Sequence, residues 1–275
     1  MMNLIETTLN IGVKEPFQLV HVTDTHLTDA DLRDGERKVA LAENRAKIFP
    51  LADAMLDFAA KVAKEQGAPI VHTGDLLDFV SVANLEKAKK FTDENDCFVV
   101  AGNHEFSLYV GEAKEDAVYR NRSLAAVQAA FKNDIRMSSR VIGGVNFVAL
   151  DNGYYLFERE QLDFLKSEVE KGLPVVLLLH NPLFEQSLHD RVTQKSPCSY
   201  LVCVPEDLMR DYPKNRLEQQ RADAITRETV EYIKAEPAIK ALITGHLHFN
   251  YEGVFADRIP QIVTSCIDVR LIKII

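Results

Sequence analysis

The chain of 275 residues is 47% hydrophobic and 27% charged, with 12 glycines and 10 prolines, values that exclude a disordered or fibrous protein. Its formal net charge of −9 repels polyanions, which argues against long nucleic acid as a partner. The start lacks a basic segment followed by an apolar one, and no stretch approaches the ~20 apolar residues of a membrane span, so a cytoplasmic protein is expected.

Short apolar runs alternate with helical patterns in the rhythm of α/β architecture. Phe17 to Val22 reads as a buried strand. Ile48, Leu51, Met55, Ala59 and Val62 then recur at spacings of three and four, predicting a helix that ends near Gly67. Pro69 to His72 and Cys97 to Val100 are the next two strands. Arg140 to Leu150 holds two apolar runs joined across Gly143-Gly144, a hairpin signal. Leu162, Leu165 and Val169 mark a helix after Asp151, and Val175 to Leu179 a fourth buried strand. Ala222, Ile225, Thr229 and Ile233 mark another helix before Pro237, and Ala241 to Ile243 is the fifth strand. Phe249 to Phe255 and then Gln261 to Val269 read as further strands, so mixed sheets are expected. No linker or repeat divides the chain, and one domain over residues 1–275 is the simplest reading. Within it Glu185 to Leu217, polar and with three prolines and two cysteines, reads as an insertion. Cys97, Cys198, Cys203 and Cys266 lack CxxC pairing and are expected as free thiols.

Five polar clusters follow the five strands: Asp24-Thr-His26, Gly74-Asp75-Leu-Leu-Asp78, Gly102-Asn103-His104-Glu105, His180-Asn-Pro182 and Gly245-His246-Leu-His248. Loops beyond the carboxyl ends of strands are where open α/β sheets gather ligands. Imidazole, carboxylate and amide oxygen together suit Mn, Fe or Zn better than Mg or Ca. Asp24 and His26 stand two apart, as do His246 and His248, so each pair would face one way as a pincer on extended backbone. Gly74, Gly102 and Gly245 would permit positive φ or close backbone approach. Taken singly, a strand-terminal Asp caps a helix and a His makes a core hydrogen bond. Of the eight histidines, six fall in or beside these clusters, which random scatter would not produce. His21 and His72, on buried strands, are set aside as structural.

In this order the clusters resemble the calcineurin-like metallophosphoesterase family over residues 17 to 250. The resemblance implies a four-layer α/β sandwich, two mixed β-sheets packed face to face and flanked by helices. It implies two divalent ions, one held by Asp24, His26 and His248, the other by Asn103, His180 and His246, with Asp75 bridging both. In such sites the ions stand ~3.5–4 Å apart and share a water whose hydroxide attacks a phosphoester. His104, by the same resemblance, protonates the leaving oxygen while Asp78 orients it, and Asn103 and His104 touch substrate. Replacing Asp78 by Asn is then expected to lower turnover more than metal content.

Purple acid phosphatases carry a metal-bound Tyr three residues after the bridging Asp, where this chain has Asp78. Protein Ser/Thr phosphatases carry Arg where it has Phe79, which removes a phosphate clamp. The pattern therefore resembles the bacterial branch that includes cyclic-nucleotide and other small-molecule phosphodiesterases. A small phosphodiester is the expected substrate, with a phosphomonoester as the alternative. A nuclease fits poorly with the acidity, and a scaffold without catalysis fits poorly with the intact histidines. Arg191, Tyr200 and Arg210, in the stretch after His180, are candidates for contact with substrate or with a second subunit of a homo-oligomer.

Overall fold

Strands that are apolar on both faces need cover on both faces, and two sheets with helices outside supply it. The computed structural model describes residues 2–111 and 116–275. In chain order the elements are β1 (Asn3–Leu9), β2 (Phe17–Val22), α1 (Glu36–Ala46), α2 (Ala52–Gln66), β3 (Ile70–His72), α3 (Val82–Glu94) and β4 (Cys97–Val99). Next come α4 (Ala117–Arg120), α5 (Leu124–Gln128), β5 (Met137–Ile142), β6 (Val145–Leu150), α6 (Arg159–Val169), β7 (Val175–Leu178) and α7 (Gln186–Thr193). The last are α8 (Lys214–Gln220), α9 (Ala224–Ala235), β8 (Ile239–Thr244), β9 (Tyr251–Phe255), β10 (Ile259–Val263) and β11 (Asp268–Ile274).

The first sheet has the order β1-β11-β2-β3-β4 and the second β5-β6-β7-β8-β10-β9. Both are mixed: β2, β3 and β4 run parallel while β11 is antiparallel to β2, and β6, β7, β8 and β10 run parallel between antiparallel edges. Leu19, Val71, Phe98 and Ile272 of the first sheet pack with Phe147, Val176, Ala241 and Ile262 of the second in one buried cluster. On the outer face of the first sheet Met55, Ala59 and Val62 of α2 pack with Val20, Ile70 and Val99. Leu165 of α6 and Val230 and Ile233 of α9 cover the outer face of the second. The result is a four-layer α/β sandwich.

Local signals explain the boundaries. The apolar stripe of α2 stops where Gly67 takes a left-handed φ of 60° and its N–H reaches the Ala63 carbonyl. Ile48, expected on that stripe, instead lies in the turn before the helix and is exposed. Asp223 caps α9 by accepting from the Thr226 N–H at 2.7 Å. The run from Gln261 to Val269 is not one strand: it divides between β10 and β11, which belong to different sheets. The segment 185–217 is more than a polar excursion. Its Leu188, Val192, Leu201, Met209 and Tyr212 form a buried cluster of their own with Val263.

Candidate metal centre

The carboxyl ends of β2, β3, β4, β7 and β8 meet along one cleft, because parallel neighbours in each sheet end on the same side. The pincers arise differently from the expected extended geometry. Asp24 and His26 have φ of 53° and 51°, and His246 and His248 of 68° and 55°, so each pair alternates left-handed residues around a middle one. Asp75 is left-handed as well, at 54°. Backbone folded this tightly leaves no room for side chains around it. A Cβ on Gly74, itself at φ 94°, would stand 2.5 Å from the Gly102 nitrogen and 2.7 Å from His180 Nδ1, and one on Gly245 would stand 2.0 Å from Thr23 Oγ1.

Two groups of donor atoms result. Asp24, His26 and His248 form one, with Asp24 Oδ1 3.3 Å from His248 Nε2 and 3.9 Å from His26 Nε2. Asp75, His180 and His246 form the second, joined by Asn103 Oδ1 at 3.1 Å from His180 Nε2. Asp75 Oδ2 lies between them, 3.7 Å from His26 Nε2 and 3.3 Å from His180 Nε2. A further triad of Asp75, His26 and His104 overlaps both. His21 stands outside, between Thr264 and Thr73 hydroxyls at 2.8 Å each. His72 Nε2 meets Thr25 Oγ1 at 3.2 Å.

Whether these groups fit cations is tested by the atoms that face one another. Asp24 Oδ1 is buried and has no hydrogen-bond partner. His180 Nε2 faces His246 Nδ1 at 3.1 Å, and His26 Nε2 faces His248 Nε2 at 3.3 Å. Paired ring nitrogens in contact repel unless a proton or a cation lies between them. The opposite nitrogens are committed to the protein, which fixes the rings in ligand-like orientation. His180 Nδ1 donates to the Thr73 carbonyl at 2.8 Å, His26 Nδ1 meets Asp78 Oδ1 at 3.0 Å, and His246 Nε2 meets the Tyr155 hydroxyl at 2.8 Å. The residues fit a pair of divalent cations.

Without cations the cluster balances its charge with protons. Burial disfavours a charged His180, but the Asp75 carboxylate outweighs it and raises the ring to about 9. Burial likewise opposes charge on His248, and the Asp24 carboxylate 3.3 Å away prevails, raising it to about 11. His246, buried and beside the cationic His180, falls to about 3. Asp75 is held well below the usual carboxylate range: burial raises it, and the charge of His180 and the other imidazoles more than offsets that.

Asp78 stands beside His104 and has further partners. Its carboxylate takes a two-pronged contact from Arg45 at 2.6 and 2.8 Å and the one from His26, and Oδ1 lies 3.4 Å from His104 Nδ1, which donates to the Asp78 backbone carbonyl at 2.8 Å. Substitution of the carboxylate therefore strikes His26, a candidate ligand, as well as His104. Arg191 and Tyr200 line the cavity over the metal centre, whereas Arg210 is exposed and does not line it.

Several residues of the site were given no role by the sequence reading. Arg45 ends α1, and Phe49 stacks on His26 with ring centres 3.9 Å apart. Glu105 is fully buried and accepts backbone N–H groups of Asp75, Leu76, Leu77 and Gly102 at 2.5 to 3.1 Å, joining two of the loops. Asn152 joins two more, accepting from the backbone of His180 and Asn181 at 3.0 and 2.9 Å. Its polar run, Asp151-Asn-Gly, directly follows β6, and that strand-end position was the signal available to find it.

Comparison with known proteins places this geometry. No curated protein sequence matches the chain. Among solved structures, a dimetal phosphatase from Danio rerio is 14% identical over 92% of this chain and 89% of its own, with a TM-score of 0.50. A phosphopantetheinyl hydrolase from Mycobacterium tuberculosis is 10% identical over 90% and 89%, at 0.45. A putative 5′-nucleotidase from Staphylococcus aureus is 12% identical over 90% of this chain and 48% of its own, at 0.43. At 14% identity the likeness to the Danio rerio phosphatase is one of fold. The sequence itself is more specific, for the family model of calcineurin-like phosphoesterases matches residues 17–250, the span that holds all five strand-end clusters. The chain belongs to the calcineurin-like phosphoesterase family.

Proposed function

We propose that this metallophosphoesterase hydrolyses a small phosphodiester, with His104 as general acid. The observation that carries the diester is the distribution of positive charge. Arg45, the cation at the ligand end of the cavity, is consumed by Asp78, and Phe79 is fully buried. Among the described residues no other guanidinium stands at that end to clamp a phosphomonoester dianion. A diester carries one charge and two substituents, and the cavity of about 1300 Å³ has room for both.

Two divalent cations, for which the donor set suits Mn, Fe or Zn, would polarise the phosphoryl oxygens and lower the pKa of the attacking water when bound. They would be held by Asp24, His26 and His248 on one side, by Asn103, His180 and His246 on the other, and by Asp75 between. His104 works from the protein side. With Nδ1–H committed to the Asp78 carbonyl, Nε2 is the nitrogen that hands a proton to the leaving oxygen. Its backbone N–H, bonded to Asp75 Oδ1 at 2.8 Å, ties the acid to the proposed bridging ligand. The four cysteines are all free, which supports a reducing compartment, and we assign the reaction to the cytoplasm.

Mn-loaded protein assayed on bis-p-nitrophenyl phosphate and p-nitrophenyl phosphate tests this reading. Turnover of the diester is expected to exceed that of the monoester. Replacing His104 by Asn should reduce diester turnover by roughly 10²–10⁴-fold while metal content persists. A fully metallated protein that turns over no phosphodiester would overturn the proposal.

A further inference from the structure

One wall of the cavity is built by α7, α8 and the chain between them, and it carries three cations. Arg191 on α7, Lys195 just beyond it and Arg216 on α8 all line the cavity. Among the described residues none of the three meets a carboxylate. Elsewhere in this acidic chain arginines are spent on acids, as Arg33 is on Asp31 and Glu86, Arg140 on Asp96 and Arg159 on Glu228. Three carboxylates also line the cavity, and all have other work: Asp75 is a candidate metal ligand, Asp116 caps α4, and Glu218 faces Lys214.

The two guanidinium groups are held in place by aromatic rings that reach to the metal centre. Arg216 lies over Tyr200, 5.2 Å from the ring centre, and that ring is 5.9 Å from the ring of His246. Arg191 lies over Phe249 at 4.6 Å, and Phe249 directly follows His248. Each cation is thus one aromatic residue removed from the donor groups. Arginine stacked on an aromatic face can turn its N–H edge to an anion, and Arg216 gives one N–H to Gln219 Oε1 at 2.6 Å while meeting no carboxylate among the described residues. A cavity of this volume far exceeds one phosphoryl group, and the charged wall gives its remaining space a chemical character.

We propose that Arg191, Lys195 and Arg216 form a second anion subsite, which binds a phosphate or carboxylate on the substituent of the phosphoester remote from the scissile bond. The substrate class is then a phosphodiester with a second anionic group at the far end of one arm. This rests on the phosphoesterase reading above and adds to it the identity of the distal group.

The test is calorimetric and needs no turnover. Mn-loaded protein is titrated with α,ω-alkane bisphosphonates of two to six carbons, with ω-carboxyalkyl phosphonates of the same lengths, and with the corresponding alkyl phosphonates. At one spacer length, a compound with two anions is expected to bind at least ~10-fold more tightly than its single-anion counterpart. The bisphosphonate and carboxylate arms separate the two sources of distal charge. In the triple variant Arg191→Gln/Lys195→Gln/Arg216→Gln that preference should fall to about one. If the triple variant does not fold, Arg191→Gln and Arg216→Gln are tested singly, each with an expected ~3-fold loss of preference. Equal binding of one and two anions by the native protein, or a preference untouched by the substitutions, would overturn the subsite. Hydrolysis of bis-p-nitrophenyl phosphate without any such preference sinks the subsite alone. A preference without hydrolysis supports the subsite and sinks the phosphoesterase reading.

Discussion

Glu105 offers the sharpest test of how the loops are held. Its two carboxylate oxygens accept four backbone N–H groups: those of Asp75 and Gly102 on Oε2, and those of Leu76 and Leu77 on Oε1. Burial and the neighbouring Asp75 charge push this carboxyl up, to about 7. The four donors pull the other way, because a protonated carboxyl presents an O–H to donors that need acceptors. The geometry fits the ionised form. Replacing Glu105 by Ala strips all four N–H groups of their acceptor. At ~1–3 kcal/mol for each buried donor left unpaired, and with water entering the vacated space, the low end of the range is expected, about 4 kcal/mol. For a chain of this size that corresponds to a fall in Tm of roughly 8–16 °C. Glu105→Gln is the decisive variant. Its amide oxygen can serve two of the donors, but its NH2 confronts the other two, so a loss of about 3 kcal/mol is expected despite the near-identical shape. Urea unfolding of EDTA-treated native and variant proteins measures this. A Glu105→Gln protein within ~0.5 kcal/mol of native would refute the argument, because Gln would then be mimicking a carboxyl that was neutral all along.

Four further outcomes follow from the same contacts. Asp78→Asn weakens the hold on His26, and metal affinity should fall by roughly 10–100-fold along with turnover, as measured by metal content after dialysis against graded chelator. Tyr155→Phe removes the oxygen that meets His246 Nε2 at 2.8 Å, and the expected result is a ~10-fold loss of metal affinity with little change in Tm. In metal-free protein His180 and His248 are raised, to about 9 and about 11. Their contribution to stability is therefore fully present below about pH 6.5 and is lost as pH rises first through 9 and then through 11. EDTA-treated protein should lose Tm between pH 7 and 10 while Mn-loaded protein holds it, and loading at pH 7 should release about two protons into weakly buffered solution. Unchanged metal-free Tm across that range would count against the protonated cluster. His248 stands at φ 55°, so His248→Gly should be more stable than His248→Ala by about 1 kcal/mol in the metal-free state.

What could be read from the sequence was what chemistry writes locally. Phe17–Val22 and Ile239–Thr244 are buried on nearly every side chain, and such strands appear as continuous apolar runs. Donor residues stand out because Asp, Asn and His at strand ends are conspicuous after Val, Ile and Leu. β1 was not legible, for it is a half-exposed edge strand whose burial comes only from pairing with β11. The break between β10 and β11 was equally silent: Thr264 to Ile267 carries the chain from one sheet to the other without a proline or glycine. Arg45 and Phe49 reach the site because α1 and the turn after it pack over His26, a tertiary fact that no spacing encodes. Arg210 was named on charge alone, and charge alone does not say which side of a loop faces a cavity.

The backbone itself shows where this fold concentrates its strain. Of the ten non-glycine residues with left-handed φ among the described residues, five are candidate ligands: Asp24, His26, Asp75, His246 and His248. Tyr155 and Tyr200, two more of the ten, line the same cavity. At ~1 kcal/mol or more for each such residue, the five ligands alone store about 5 kcal/mol, comparable to the whole stability of a modest domain. Strain of that size persists only where neighbours determine the conformation from several sides. The neighbouring loops supply that determination: the Asp24 and His26 N–H groups donate to the Gly74 and Asp75 carbonyls, the His246 N–H to Asp24 Oδ2, the Ser265 hydroxyl to the His248 carbonyl, and the Asp75 N–H to Glu105. The donors reach one cleft because the sheets set the loops side by side. They point into it because these contacts between loops hold the backbone in a conformation that the residues, left to themselves, would avoid.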